Sequence, residues 1–200
     1  MTEHYYSAKP TTAHELNQIQ VNLRGKDFTF ITDAGVFSKK EIDFGSKLLI
    51  ETMSMNRKDS VLDVGCGYGP IGISAALLAD QGRVTMVDIN ERAVLLSRDN
   101  AKRNGVNNVT VLQSDLLAQV VDQTFNCILT NPPIRAGKTI VHEIFVQAYA
   151  ALVPGGQLWV VIQKKQGAPS AFAKLETLFG NVIEVTKDKG YRIFKATKIN

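Results

Sequence analysis

Asn131-Pro132-Pro133-Ile134 follows an apolar run, Phe125-Asn126-Cys127-Ile128-Leu129-Thr130. Each proline lacks a backbone N–H and cannot continue a central strand, so a strand predicted over 125–130 stops there and the chain leaves it rigid and extended. A rigid turn at the carboxyl end of a parallel strand holds its side chain at the mouth of the sheet, where ligands bind. Here that side chain is an amide, with a carbonyl acceptor and an amino donor. Pro132 adds a carbonyl without an N–H. Together they suit the grip of an amino group on a planar ring. The plain alternative is a turn that only ends a strand, and three residues alone do not choose between the two.

A second candidate lies upstream, in Asp63-Val64-Gly65-Cys66-Gly67-Tyr68-Gly69-Pro70-Ile71-Gly72. Its glycines permit a tight turn and let a ligand approach the backbone. The run matches the dinucleotide spacing Gly-x-Gly-x-x-Gly at 67, 69 and 72, so glycine alone leaves the cofactor open. Charge is more selective. A carboxylate at Asp63, aimed into the loop, would repel a pyrophosphate but would help a sulfonium or ammonium, the charges that S-adenosylmethionine carries. Asp88 closes the next strand, where a carboxylate can accept both ribose hydroxyls. Asp115 follows the third, within reach of an adenine amino group. Any one of these acids reads equally well as a helix cap or turn former. Three acids ending three successive strands are harder to assign to turns.

The elements that hold these residues are predicted by alternation. Apolar strands at 61–64, 83–87, 109–112, 125–130 and 158–162 are separated by helices at 70–79, 91–104 and 139–151. A turn at 154–156 precedes the fifth strand, a helix at 169–179 follows it, and a hairpin-like pair at 182–186 and 191–197 closes the chain. Strands alternating with helices imply a parallel sheet covered on both faces. Upstream, Phe28 to Ile31 reads as a strand broken at Asp33-Ala34-Gly35, and residues 45–55 read as an amphipathic helix. Ser38 and Glu41 have the spacing of a capping box. Residues 1–20 are polar and weakly periodic, although His4-Tyr5-Tyr6 offers stacking rings. We read residues 1–55 as a flank and lid on the domain formed by residues 56–200.

Composition narrows the classes. Of 200 residues, 44% are hydrophobic and 21% charged, ordinary globular values. Apolar runs are far too short to cross a membrane, and no basic-then-apolar signal opens the chain, so cytoplasm is the expected compartment. Cys66 and Cys127 are expected to be buried free thiols. The three histidines are scattered, with no metal-ligand spacing, so no metal is expected. A net charge of +4 is compatible with a nucleic-acid partner.

Taken together, Asp63 to Gly69, Asp88, Asp115 and Asn131-Pro132-Pro133 resemble the motifs of class I S-adenosylmethionine-dependent methyltransferases, over roughly residues 60–200. The resemblance implies a Rossmann-like α/β fold, with a seven-stranded sheet in the order 3-2-1-4-5-7-6 and only the last strand antiparallel. It places the fourth strand beside the first, and so Asn131 beside the glycine loop. It implies a cofactor site of Asp63, Gly65, Cys66, Gly67, Asp88, Ile89, Ser114, Asp115 and Asn131, and a catalytic turn of Asn131, Pro132 and Pro133. The longer pattern adds Gly35-Val36-Phe37-Ser38, Ile42-Asp43-x-Gly45 and the continuation Ile134-Arg135-Ala136-Gly137-Lys138. It resembles the ribosomal small-subunit methyltransferase C type, which modifies the exocyclic N2 of guanine in 16S ribosomal RNA. Many members carry a second, degenerate domain ahead of the active one, and this chain is expected to be a short, single-domain form.

Many relatives of the Asn-Pro-Pro group stack an aromatic residue on the target where this chain has Ile134, a substrate-binding candidate that can make an apolar contact but no π-stack. Phe37 is then the first replacement candidate, and Tyr5 or Tyr6 the next. Arg135, Lys138, Lys164 and Lys165 are candidates for phosphate contacts, or else a solvated charged rim. The expected partner is ribosomal RNA or the small subunit. Rival readings are the same chemistry on a protein glutamine amide or adenine N6, an NAD-dependent dehydrogenase, and a non-catalytic RNA-binding module.

Overall fold

The computed structural model describes residues 8–9, 12–38 and 40–200. Its first elements are strands β1 (Asn17–Leu23) and β2 (Lys26–Thr32), paired as an antiparallel hairpin. The turn between them, Arg24-Gly25, has positive φ at both residues (50° and 77°), which matches the twist of a tight hairpin. Residues 17–20, read above as part of a polar terminus, thus belong to a strand. Ile19, Val21 and Leu23 alternate on one face, and Ile19 and Leu23 are buried.

The helix α1 (Phe44–Thr52) follows. Its N-cap is Asp43, whose carboxylate accepts from the N–H groups of Gly45 and Ser46. The capping-box reading of Ser38 and Glu41 is therefore corrected: Ser38 Oγ donates to the Glu41 carbonyl in the preceding turn, outside the helix. At the other end of α1 the Arg24 guanidinium donates to the carbonyls of Ile50, Glu51 and Met53, which the end of a helix leaves without partners.

From Ser60 onward the expected alternation holds: β3 (Ser60–Val64), α2 (Pro70–Leu78), β4 (Arg83–Asp88), α3 (Glu91–Arg103), β5 (Val109–Gln113), β6 (Phe125–Thr130), α4 (Lys138–Ala151), β7 (Leu152–Gln163), α5 (Ala168–Phe179), β8 (Val182–Asp188) and β9 (Tyr191–Thr197). The sheet order is β5-β4-β3-β6-β7-β9-β8. Counted from β3 this reads 3-2-1-4-5-7-6, and β9 runs antiparallel to both its neighbours. The turn expected at 154–156 is a bulge inside β7: pairing with β6 jumps from Phe125↔Leu152 to Cys127↔Gln157.

Helices cover both faces. On one, α1, α2, α3 and the hairpin share a core that includes Phe30, Leu49, Ile73, Val84 and Val161. On the other, α4 and α5 pack Phe145 and Leu175 against Ile128, Val160 and Phe194. Deleting a side chain as enclosed as Ile128 is expected to cost about 2–5 kcal/mol. The hairpin is also tied by polar groups. Asn100 and Asn104, one turn apart at the end of α3, each accept from and donate to the backbone of β2, at Ile31 and Thr29. Two amides thus serve β2 in place of a further strand.

Candidate active site

Register brings the predicted residues together. Val64 pairs with Val87 on one side and Thr130 on the other, so Gly65, Asp88 and Asn131 leave three adjacent strands at one edge. Thr130 Oγ1 donates to the Val64 carbonyl at 2.9 Å, clamping the two central strand ends. Above this point lies a cavity of about 370 Å³.

The loop after β3 turns through Gly65, Gly67 and Gly69, all with positive φ (74°, 58° and 103°), a conformation that costs other residues. Four of its N–H groups are engaged internally. Gly65 and Cys66 donate to the Val87 carbonyl, Gly69 to the Cys66 carbonyl, and Gly67 to Asp88 Oδ2 at 2.8 Å. A pyrophosphate needs such donors free, and here a carboxylate has taken one of them. Asp88 Oδ1 accepts from the Asn90 N–H at 2.9 Å. Surrounding protein raises the Asp88 pKa by desolvation, against the N–H groups of Asn90, Gly67 and Ile89.

Asp63 is placed differently. It is wholly buried behind the loop and outside the cavity wall, with Oδ2 accepting from the Gly72 N–H at 2.9 Å. Burial pushes its pKa up to about 7; the Gly72 N–H opposes the shift and the Asp88 charge adds to it. Its Oδ1 has no hydrogen-bond partner. Cys66, Ile89, Ser114 and Asp115 line the cavity, Asp115 exposed at its edge. Ser114 holds its own turn: its N–H reaches the Asp88 carbonyl and its hydroxyl the Leu116 carbonyl. Burial holds the Cys66 thiol protonated, and Cys127 is also a buried free thiol.

The other half of the cavity belongs to Asn131-Pro132-Pro133 and the start of α1. Asn131 Nδ2 donates to Asp43 Oδ2 at 2.8 Å and to Ser46 Oγ at 2.9 Å. Tyr191 Oη donates to Asp43 Oδ1 at 3.3 Å. Val36, Phe37 and Ser38, from the loop between β2 and α1, complete the wall. Asn90 Nδ2 ties that loop to α3 through the Gly35 carbonyl.

Phe37 lines the cavity and is 44% exposed. Tyr5 and Tyr6 lie outside the described residues. Ile134 is not in the wall. It is partly buried against the core on the α4 and α5 side of the sheet, where an aliphatic group gains by leaving water, and in this part of the chain Ala136, Ile140 and Ile144 line the cavity instead. Arg135, Lys138, Lys164 and Lys165 are exposed and outside the cavity wall. Sequence reasoning gave no role to Ser46, Asn90, Ile140, Ile144 or Tyr191. Asp43 and Gly45 were visible only as a pattern.

Fold and site define an S-adenosylmethionine-dependent methyltransferase. A glycine loop with four of its donors occupied, and carboxylates at the cavity wall, fits a cationic, phosphate-free cofactor. The chain belongs to the methyltransferase small domain family, whose model matches residues 27–195. It is 55% identical, over the full length of both chains, to the uncharacterized protein YbxB of Bacillus subtilis. It is 32% identical over 172 residues to ribosomal RNA large subunit methyltransferase G of Photobacterium profundum, covering 82% of this chain and 45% of the relative. The solved T. thermophilus 16S rRNA N2 G1207 methyltransferase (RsmC), in complex with AdoMet and guanosine, superposes with a TM-score of 0.83 at 26% identity. That match covers 94% of this chain and 52% of the other. This chain therefore spans about half the length of the two ribosomal RNA methyltransferases it matches. Among the described residues, no helix is long and apolar enough to cross a membrane.

Proposed function

We propose that the protein methylates the exocyclic N2 amino group of a guanine in 16S ribosomal RNA, in the cytoplasm. The observation that carries this reading is that Asn131, Pro132 and Pro133 line the same cavity as Asp88 and the glycine loop. The guanine-N2 assignment is supported by the likeness to RsmC, a 16S ribosomal RNA N2 methyltransferase.

Gly65, Cys66, Gly67, Ile89 and Ser114 form the cofactor's bed, Asp88 accepts its ribose hydroxyls, and Asp115 its adenine amino group. Asp63 acts from behind the loop, through Gly72. Bound S-adenosylmethionine supplies an electrophilic methyl group. The chain's own contribution is positional, and orientation of this kind is worth several kcal/mol. The guanine amino group is a poor nucleophile because its lone pair is delocalised into the ring. Asn131 Oδ1 and the Pro132 carbonyl accept its two N–H groups, which favours pyramidal nitrogen and turns the lone pair toward the methyl group. The proton becomes acidic once nitrogen is alkylated, so no strong base is required beforehand. Phe37 stacks on the base, with apolar contact from Ile140 and Ile144. Arg135, Lys138, Lys164 and Lys165 hold phosphates, and the 33–38 loop serves as the lid.

Incubation with radiolabelled S-adenosylmethionine and, separately, naked 16S RNA, small subunits and total protein tests this. Label is expected on guanine N2. Label on adenine or on a protein glutamine would redirect the substrate assignment, and RNA binding without transfer would return the chain to the class of binding modules.

A further inference from the structure

A carboxamide is nearly symmetric in shape, so rotating it by half a turn exchanges acceptor for donor at almost the same position. A residue that must accept a hydrogen bond from its target therefore needs neighbours that fix the rotation. Around Asn131 those neighbours come from a distant part of the chain. Asp43 Oδ2 lies 2.8 Å from Asn131 Nδ2, and Ser46 Oγ lies 2.9 Å from the same nitrogen. An ionised carboxylate only accepts, so the side of the amide that faces Asp43 must be the amino side. Both N–H groups are then spent, and Oδ1 is left for the cavity. The contact to Asp43 is also charge-assisted, the stronger kind of hydrogen bond.

Asp43 is in turn held in place. It is the N-cap of α1, accepting from the Gly45 and Ser46 N–H groups, and it accepts from the Tyr191 hydroxyl. The glycine at 45 has a steric reason. A Cβ there would lie 2.7 Å from two ring carbons of Tyr191, closer than real Cβ atoms approach, so a side chain would displace that ring. The Asp43-x-Gly45 pattern thus has one explanation: carboxylate at the cap, hydroxyl on the carboxylate, and room for the ring that bears the hydroxyl.

We infer that Asp43, with Ser46 and Tyr191, is the positioning device that holds Asn131 as a hydrogen-bond acceptor toward the substrate. It rests on the reading of Asn131 given above. It adds a selection rule: the cavity takes a group that donates, such as an exocyclic amino group, and rejects a ring carbonyl or an unprotonated ring nitrogen at that point.

Asp43→Ser tests it, because serine caps a helix as well as aspartate but removes the carboxylate from Asn131. Turnover is expected to fall about ten- to hundredfold, with cofactor affinity by calorimetry unchanged. The same substitution in an Asn131→Ala background should have little further effect, since Asp43 acts through Asn131. A rescue completes the test. Asn131→Asp sets two carboxylates face to face; adding Asp43→Asn restores one donor–acceptor pair and should raise turnover at least about tenfold over Asn131→Asp alone. A readout free of substrate is the side-chain amide resonance of Asn131, slow to exchange in the parent and fast in Asp43→Ser.

Parental turnover in Asp43→Ser, equal losses in both backgrounds, or no rescue would overturn the positioning role while leaving the methyl-transfer reading intact. Parental turnover in Asn131→Ala would instead overturn the reading on which it rests.

Discussion

The two halves of the cavity are built on different principles. The half proposed to hold the cofactor is assembled from consecutive βα units: residues 64–71, then 88–90, then 114–116, each delivered by the end of the next strand. Its hydrogen bonds are mostly internal to that edge, loop to strand and loop to Asp88. The half proposed to hold the substrate joins parts far apart in the chain. Asn131 and Asp43 are 88 positions apart, and Asp43 and Tyr191 are 148 apart. A cofactor shared by many enzymes can be met by local motifs, whereas the part proposed to choose a target is tied to residues at the start of α1 and to β9.

The largest expected effect separates the halves most sharply. Asn131→Ala should lower methyl transfer by about two orders of magnitude or more, since a well-placed transition-state hydrogen bond is worth roughly 3 kcal/mol. Calorimetric affinity for S-adenosylmethionine should stay within a few-fold. If both quantities fell together, the two halves would not be separable.

Asp88→Ala strikes the other half. It removes the acceptor proposed for the ribose and frees the Gly67 N–H. Cofactor affinity should drop about ten- to hundredfold, because hydrogen bonds to charged groups are worth roughly 1.5–3 kcal/mol. RNA affinity in a filter or anisotropy assay should not change.

Neutralising Arg135, Lys138, Lys164 and Lys165 together should weaken RNA binding by about tenfold at moderate salt. The slope of log affinity against log salt should flatten by a little under one for each phosphate that is no longer neutralised. An unchanged slope would make these four residues solvated surface.

The smallest effect concerns the carboxylate buried behind the glycine loop. Asp63, buried with its pKa raised to about 7, binds a proton more tightly in the folded chain than in the unfolded one, where an ordinary value near 3.8 applies. The unfolded state therefore releases its proton first as pH rises. The stability tied to protonated Asp63 is present below about pH 4 and is lost as pH rises through about 7. Without cofactor, the melting temperature should decline by a few degrees between about pH 5 and pH 8, and Asp63→Asn should reduce that decline, leaving the part that comes from buried Asp88, whose pKa is also raised. Differential scanning calorimetry across this range measures both.

Much of the cofactor half was legible in the sequence, because strand alternation, glycine turns and prolines that stop a strand are local rules. The strand at 125–130 ends where two residues without N–H groups force it to end. Less of the flank was legible. Residues 17–23 alternate as a strand should, but their polar partners and the absence of a glycine ahead of them hid the pattern beside a polar terminus. Ile134 illustrates a different limit: its sequence position matches a target-facing residue, and in the fold it packs, partly buried, against the core and outside the cavity wall.

Taken alone, the sequence determined the strand–helix alternation, the glycine loop, the acids at strand ends and the Asn-Pro-Pro turn, since each depends on backbone chemistry within a few residues. Tertiary structure decided that Asp63 lies behind the loop while Asp88 lines the cavity, that Phe37 rather than Ile134 lines that cavity, and that the Asn131 amide donates to Asp43. Those outcomes depend on which side chains meet across the fold, and periodicity along a chain carries no record of such meetings.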